Sequence, residues 1–114
     1  MKRGGGSGTP VSTLTAIPKL FVKDITTVSA VIYWASAPNA NRSGFSYILT
    51  NLTTGVPSAE VVVVGSDMDF TLSSLVPLHQ YQVDVVNLYG TGITEGRALP
   101  STTTSLIFNT LSNV

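Results

Sequence analysis

The stretch Leu75-Val-Pro77-Leu-His79-Gln-Tyr81-Gln-Val-Asp-Val-Val-Asn-Leu-Tyr-Gly90 constrains this chain most, because turn chemistry runs directly into strict alternation. Pro77 fixes its own φ and biases Val76 toward extended geometry, so strand building stops there and the chain turns a corner. From Tyr81, residues 81, 83 and 85 share one face while Gln82 and Asp84 take the other, the period of a half-buried strand over about 80–89. One side of that strand faces a core.

The same alternation, bounded by turn formers, recurs along the chain. Strands are expected at about 19–24, 30–35, 44–51, 59–64 and 69–73, with Phe70 and Leu72 inward on the last. Residues 26–29, 53–57 and 65–67 read as turns, and 37–44, with Pro38, Asn39, Asn41 and Gly44, reads as an exposed loop. The final strand has two placements: about 96–104, which is favoured, or later over Leu106-Ile-Phe108. Arg97 and Pro100 suit a strand poorly, although proline is tolerable at an edge. Asn87 falls on an inward position of its strand, so it needs a hydrogen-bond partner.

Leu75, Pro77 and Tyr81 resemble the corner of a fibronectin type III domain, where a tyrosine hydroxyl folds back onto upstream backbone. Leu20, Val22, Ile25, Ala30, Ile32 and Trp34 resemble the apolar ladder of that family's first two strands, and Phe45, Tyr47 and Leu49 the inward face of its third. The resemblance implies an all-β, seven-stranded antiparallel Greek-key β-sandwich, with Trp34, Tyr47, Leu75, Pro77 and Tyr81 as structural residues. It covers residues 17–104, leaving 1–16 as a flexible tag or linker and 105–114 as an extension, unless the last strand lies there. The family's Arg-Gly-Asp adhesive signal is absent from 89–97.

With 114 residues and no cysteine, one core without disulfides or thiolate metal sites is expected. Charge is sparse at 11%, and the body holds only the scattered cations Lys19, Lys23, Arg42 and Arg97, which argues against nucleic acid as a partner. The single histidine, His79, reads as an exposed turn residue and not a base. Asp67 and Asp69, with Glu60, read as a hairpin turn and not a calcium site. The glycines at 4–8 and 90–92 lack the lysine and helix that phosphate binding needs. No enzyme activity, cofactor or metal is expected, and no run is long and apolar enough for a membrane helix.

The resulting expectation is an extracellular or cell-surface module, a spacer or protein-interaction domain beside neighbouring modules of a larger chain. Asn41 and Asn51 stand in Asn-x-Ser/Thr sequences and are candidate glycosylation acceptors. Ile48, Val62, Val64 and Val86 are expected to point outward as one apolar patch, open to a neighbouring module, another protein or weak self-association. The alternatives are a module recognising protein or glycan through that face or its end loops, and an accessory domain of a secreted bacterial enzyme or phage tail protein.

Overall fold

The computed structural model describes residues 15–35 and 42–112. Among these there are nine strand segments: β1 (Phe21–Lys23), β2 (Ala30–Tyr33), β3 (Arg42–Asn51), β4 (Val56–Pro57), β5 (Val61–Val64), β6 (Asp69–Leu72), β7 (Gln80–Tyr89), β8 (Leu99–Pro100) and β9 (Thr104–Asn109). All pair antiparallel. A three-stranded sheet has the order β1-β2-β6; in the larger sheet β3 and β7 pair at the centre, with β4 and β5 on the far side of β3 and β8 and β9 on the far side of β7.

The two sheets stack because each strand's apolar residues fall on one side. On β7, Tyr81, Val83 and Val85 are buried, as their alternation requires, and they meet Ala30, Ile32 and Leu72 from the smaller sheet. Trp34 follows β2 directly, donates its backbone N–H to Met68 O at 3.1 Å, and is 4% exposed. Its ring stands edge-on to Phe45, centroids 5.0 Å apart, while Phe70 stacks on Phe45 at 5.5 Å and on Tyr47 at 4.0 Å. Edge-to-face and offset stacking both suit the ring quadrupoles.

The corner behaves as its residues imply. Tyr81 Oη accepts the Val76 N–H at 2.8 Å, and Leu75, 5% exposed, donates its N–H to Val28 O. A second residue completes the latch: buried Thr110 donates its hydroxyl to Val76 O at 2.7 Å and accepts the His79 N–H at 3.0 Å. At the turn before β2, Thr26 Oγ1 accepts from the N–H groups of Val28 and Ser29, the hydroxyl-capped turn expected of threonine there.

Three expectations change. Residues 42–44 belong to β3 and not to a loop, because Arg42 pairs with Tyr89 and Gly44 with Leu88 across a bulge at Ser43. Residues 56–57 form a two-residue strand on Thr50 and Asn51 instead of ending a turn. The last strand is the later one, with β9 pairing along β7 from Val85 to Gln80 and β8 only touching its end, so the sheet runs past 104 into the segment expected to be an extension. The reason is visible in the residues: Pro100 has no N–H for a ladder, Ser101 turns to bond Asn87, and only Thr104, Leu106 and Phe108 alternate toward the core.

Replacing Trp34 with Ala should cost about 3–5 kcal/mol through the cavity it leaves. Tyr81→Phe should cost about 1–2 kcal/mol by stranding the Val76 N–H. Urea melts of the two variants check both, and a Tyr81→Phe curve superimposing on wild type would remove the corner as a stabilising element.

Candidate functional site

At the pole where β3 begins and β7 ends, polar side chains close on one another. Asn87 is 3% exposed on the inner face of β7. Its Oδ1 accepts from Arg42 Nε at 2.9 Å and its Nδ2 donates to Thr15 O at 3.1 Å, while its backbone exchanges bonds with Ser101. Tyr89 Oη also donates to Thr15 O. Arg42 Nη2 reaches Asp67 O at 2.7 Å, and the guanidinium lies over the Trp34 and Phe45 rings. Burial lowers the Arg42 pKa, and the electrostatic influence of Tyr89 and Asp67 opposes that shift. Each member is consumed in holding the entering chain, the 65–67 turn and β7 together. The arrangement locks structure and offers no free acid or base.

The outer face of the larger sheet is different. Register sets Val64, Gly44 and Leu88 in one row, Val62, Ser46 and Val86 in the next, and Ile48 opposite Asp84 in a third. Ile48, Val62, Val64 and Val86 therefore share one face. Val64 is 58% exposed and Val62 41%, whereas Val86 is half-buried. Polar groups punctuate the face: Ser46 Oγ donates to Glu60 Oε2 at 2.7 Å, and Asp84 accepts from Gln82 and Ser105.

Beside the valines a groove of about 260 Å³ runs between Val62 and Glu60 on one bank and Ile93, Gly96, Ala98 and Pro100 on the other, floored by Leu88. Gly44 lets the segment come this close, since a Cβ there would sit 2.1 Å from Val63 O and 2.9 Å from Ile93 Cδ1. Ile93 lies in a short 3-10 turn, 93–95, bounded by left-handed Gly92 and Gly96. Sequence reading missed Ile93, Ala98 and Pro100; the parity of β7 is the one signal that would have put Leu88 here. A larger cleft, about 350 Å³, opens near the other pole beside Leu49, Val56, Ser74 and Leu75. Part of its polar lining is already paired, Asn51 with His79 and Thr54, and Ser58 with Leu49 N–H.

Of the remaining expected residues, Asn41 lies outside the described residues, as do 36–41 of the loop and 1–14 of the lead-in. Asn51 ends β3 partly buried, its amide nitrogen 3.0 Å from His79 Nδ1, so His79 is half-buried and paired and not an exposed turn residue. Tyr47 is half-buried against Phe70, where burial raises its phenol pKa. Pro77 is half-buried. The strand ends flanking the two long loops do meet at one pole, Arg42 beside Tyr89 and the Ser43 hydroxyl donating to Gly90 O. No helix among the described residues is long and apolar enough to cross a membrane.

No protein-family model matches the sequence, and no curated protein does. Solved structures do. A computationally redesigned β-sandwich protein is 22% identical with a TM-score of 0.72, the match covering 90% of this chain and 95% of that one. A two-domain fibronectin type III segment of chicken tenascin is 28% identical with a TM-score of 0.68, over 86% of this chain and 51% of the segment. The FN1–FN3 domains of chicken CNTN1 are 13% identical with a TM-score of 0.65, over 83% of this chain and 31% of theirs.

Asn87→Leu should destabilise the protein by about 1–3 kcal/mol, because Arg42 Nε loses its acceptor and Thr15 O one of its donors. Adding Arg42→Met should recover part of that loss, since removing both partners is cheaper than stranding one. A double-mutant cycle from urea melts reads the coupling, with additivity as the result that would dissolve the network.

Proposed function

We propose that this chain, whose fold is fibronectin type III-like, is a non-enzymatic extracellular module serving as a spacer between neighbouring domains of an adhesion-type protein. The carrying observation is where the backbone enters and leaves. Thr15 is held at the pole of Asn87 and Tyr89, whereas Leu111 bonds Thr26 and Leu78 at the opposite pole. Chain arriving at one pole and departing from the other strings modules in series. Asn87, Arg42 and Tyr89 at one pole and Thr110 and His79 at the other are engaged within the fold, which suits a part that transmits position and not chemistry.

A second reading, recognition of a protein or glycan, is favoured by the groove between Val62 and Ile93. Its walls are apolar with a single acid, Glu60, at the rim. Shuffling residues 89–97 would abolish capture of such a partner and leave the spacer role intact.

The spacer role is tested with a tandem of two copies joined through residues 112 and 15, spin-labelled at cysteines introduced at its outer ends; the native chain has no cysteine to compete. Each added module should lengthen the separation by about 30 Å, the length of a ten-residue strand such as β7. A separation that does not grow would mean the modules fold back on each other and would remove the reading.

A further inference from the structure

The open edge of β5 is used by neither role above. Among the described residues β5 pairs with β3 alone. Natural sheet edges are blunted by charge, proline, bulges or covering chain. Here β1 carries Lys23, β6 carries Asp69, and β9 is tied near its ends to the N-terminal segment by Thr104 to Ile17 O and Leu111 N–H to Thr26 O. β5 carries four valines and none of these devices within the strand.

The backbone direction on β5 follows from two observations. Gly65 N–H donates to Ser43 O at 2.9 Å, and Val63 O lies against Gly44. Odd-numbered backbone groups therefore face β3. Because N–H and C=O groups alternate in direction along a strand, those of Val62 and Val64 face the open side.

We propose that β5 pairs antiparallel with β5 of a second copy, across a two-fold axis at Val63, joining the two larger sheets into one. Residues directly opposite in an antiparallel pair share a face, so the axis must pass through a residue and not between two. Centred on Val63, the pairing sets Val62 against the partner's Val64 and Val64 against the partner's Val62, and uses every open N–H and C=O of both residues. Centred on Val62, it would satisfy only that residue within the strand. A run of one residue type reads the same in both directions, which makes the strand its own complement and names a second copy as the occupant. Valine pairs are favourable cross-strand neighbours. Glu60 ends about 20 Å from its mate at ~3.4 Å per residue, so the two glutamates do not meet. A four-residue ladder lies at the small end of interface size, so the dimer is weak, with a Kd on the order of 10⁻⁴ M.

Sedimentation velocity on the full chain, from about 10 µM to 1 mM to bracket that Kd, should show a concentration-dependent dimer. Hydrogen exchange should slow at the Val62 and Val64 amides as it forms. Val64→Pro removes an N–H that β3 does not use, so the sandwich should stay folded while the Kd rises at least tenfold. Val62→Lys with Val64→Lys, which sets cations directly opposite each other across the pair, should abolish the dimer even if the proline variant fails to fold. Ile107→Lys, on the exposed face of the opposite edge strand, should change nothing. A monomer at every concentration, a dimer that survives the double lysine variant, or one lost in Ile107→Lys would each overturn the pairing. None of these outcomes bears on the tandem measurement, which reads the chain ends.

Discussion

Phe45 is where the two sheets become one object. It belongs to β3 of the larger sheet, yet its ring is held by Phe70 of the smaller one and by Trp34, which directly follows β2, and Tyr47, two residues along, repeats the contact with Phe70. That pair of inward aromatics fixes the parity of β3. A slip of one residue would drive Ser46 and Ile48 into the core and turn Phe45 out to water, so the register is set far more firmly than hydrogen bonds alone could set it. Once it is set, the outer face follows without further choice: Ser46, Ile48 and, through pairing, Val62, Val64 and Val86 have nowhere else to go.

The inner face is not uniformly apolar, and the exception is placed with care. Asn87 occupies a core position at the end of β7, where an unpaired amide would be costly. Partners arrive from three distant parts of the chain, Thr15, Arg42 and Ser101, and Tyr89 adds a fourth from two residues along the same strand. The cost of burying the amide is offset only when all of these segments are in place. The network thereby makes the pole conditional on the whole fold, and it accounts for a guanidinium lying against two aromatic rings.

Much of this was legible in the residues because the signals are local. β7 spans the run read from Tyr81 alternation, and the corner forms from a leucine, a proline and a tyrosine whose roles need no distant information. What escaped was non-local. Arg42 looked like a scattered surface charge in a loop; only pairing with Tyr89 makes it the first residue of a strand. Two candidate last strands competed, and composition could not see that Ser101 would be diverted to Asn87 and Thr110 drawn under the corner. The groove was hidden for the same reason, since nothing in Ile93-Thr-Glu says that it will fold back over Leu88. Residues that act through a neighbour close in sequence could be read, and those that act across the sheets could not.

The opposite exits of the chain have a mechanical consequence. β9 runs toward the pole from which Leu111 departs, and its ladder with β7 extends over six residue pairs from Val85 to Gln80. Tension on the two ends would act along the strand axes, across hydrogen bonds that lie perpendicular to them. Loaded in that direction the bonds share the force and must yield together, whereas a hairpin pulled open from one end surrenders them singly. Under tension the terminal strand would act as a bolt sheared across its whole length.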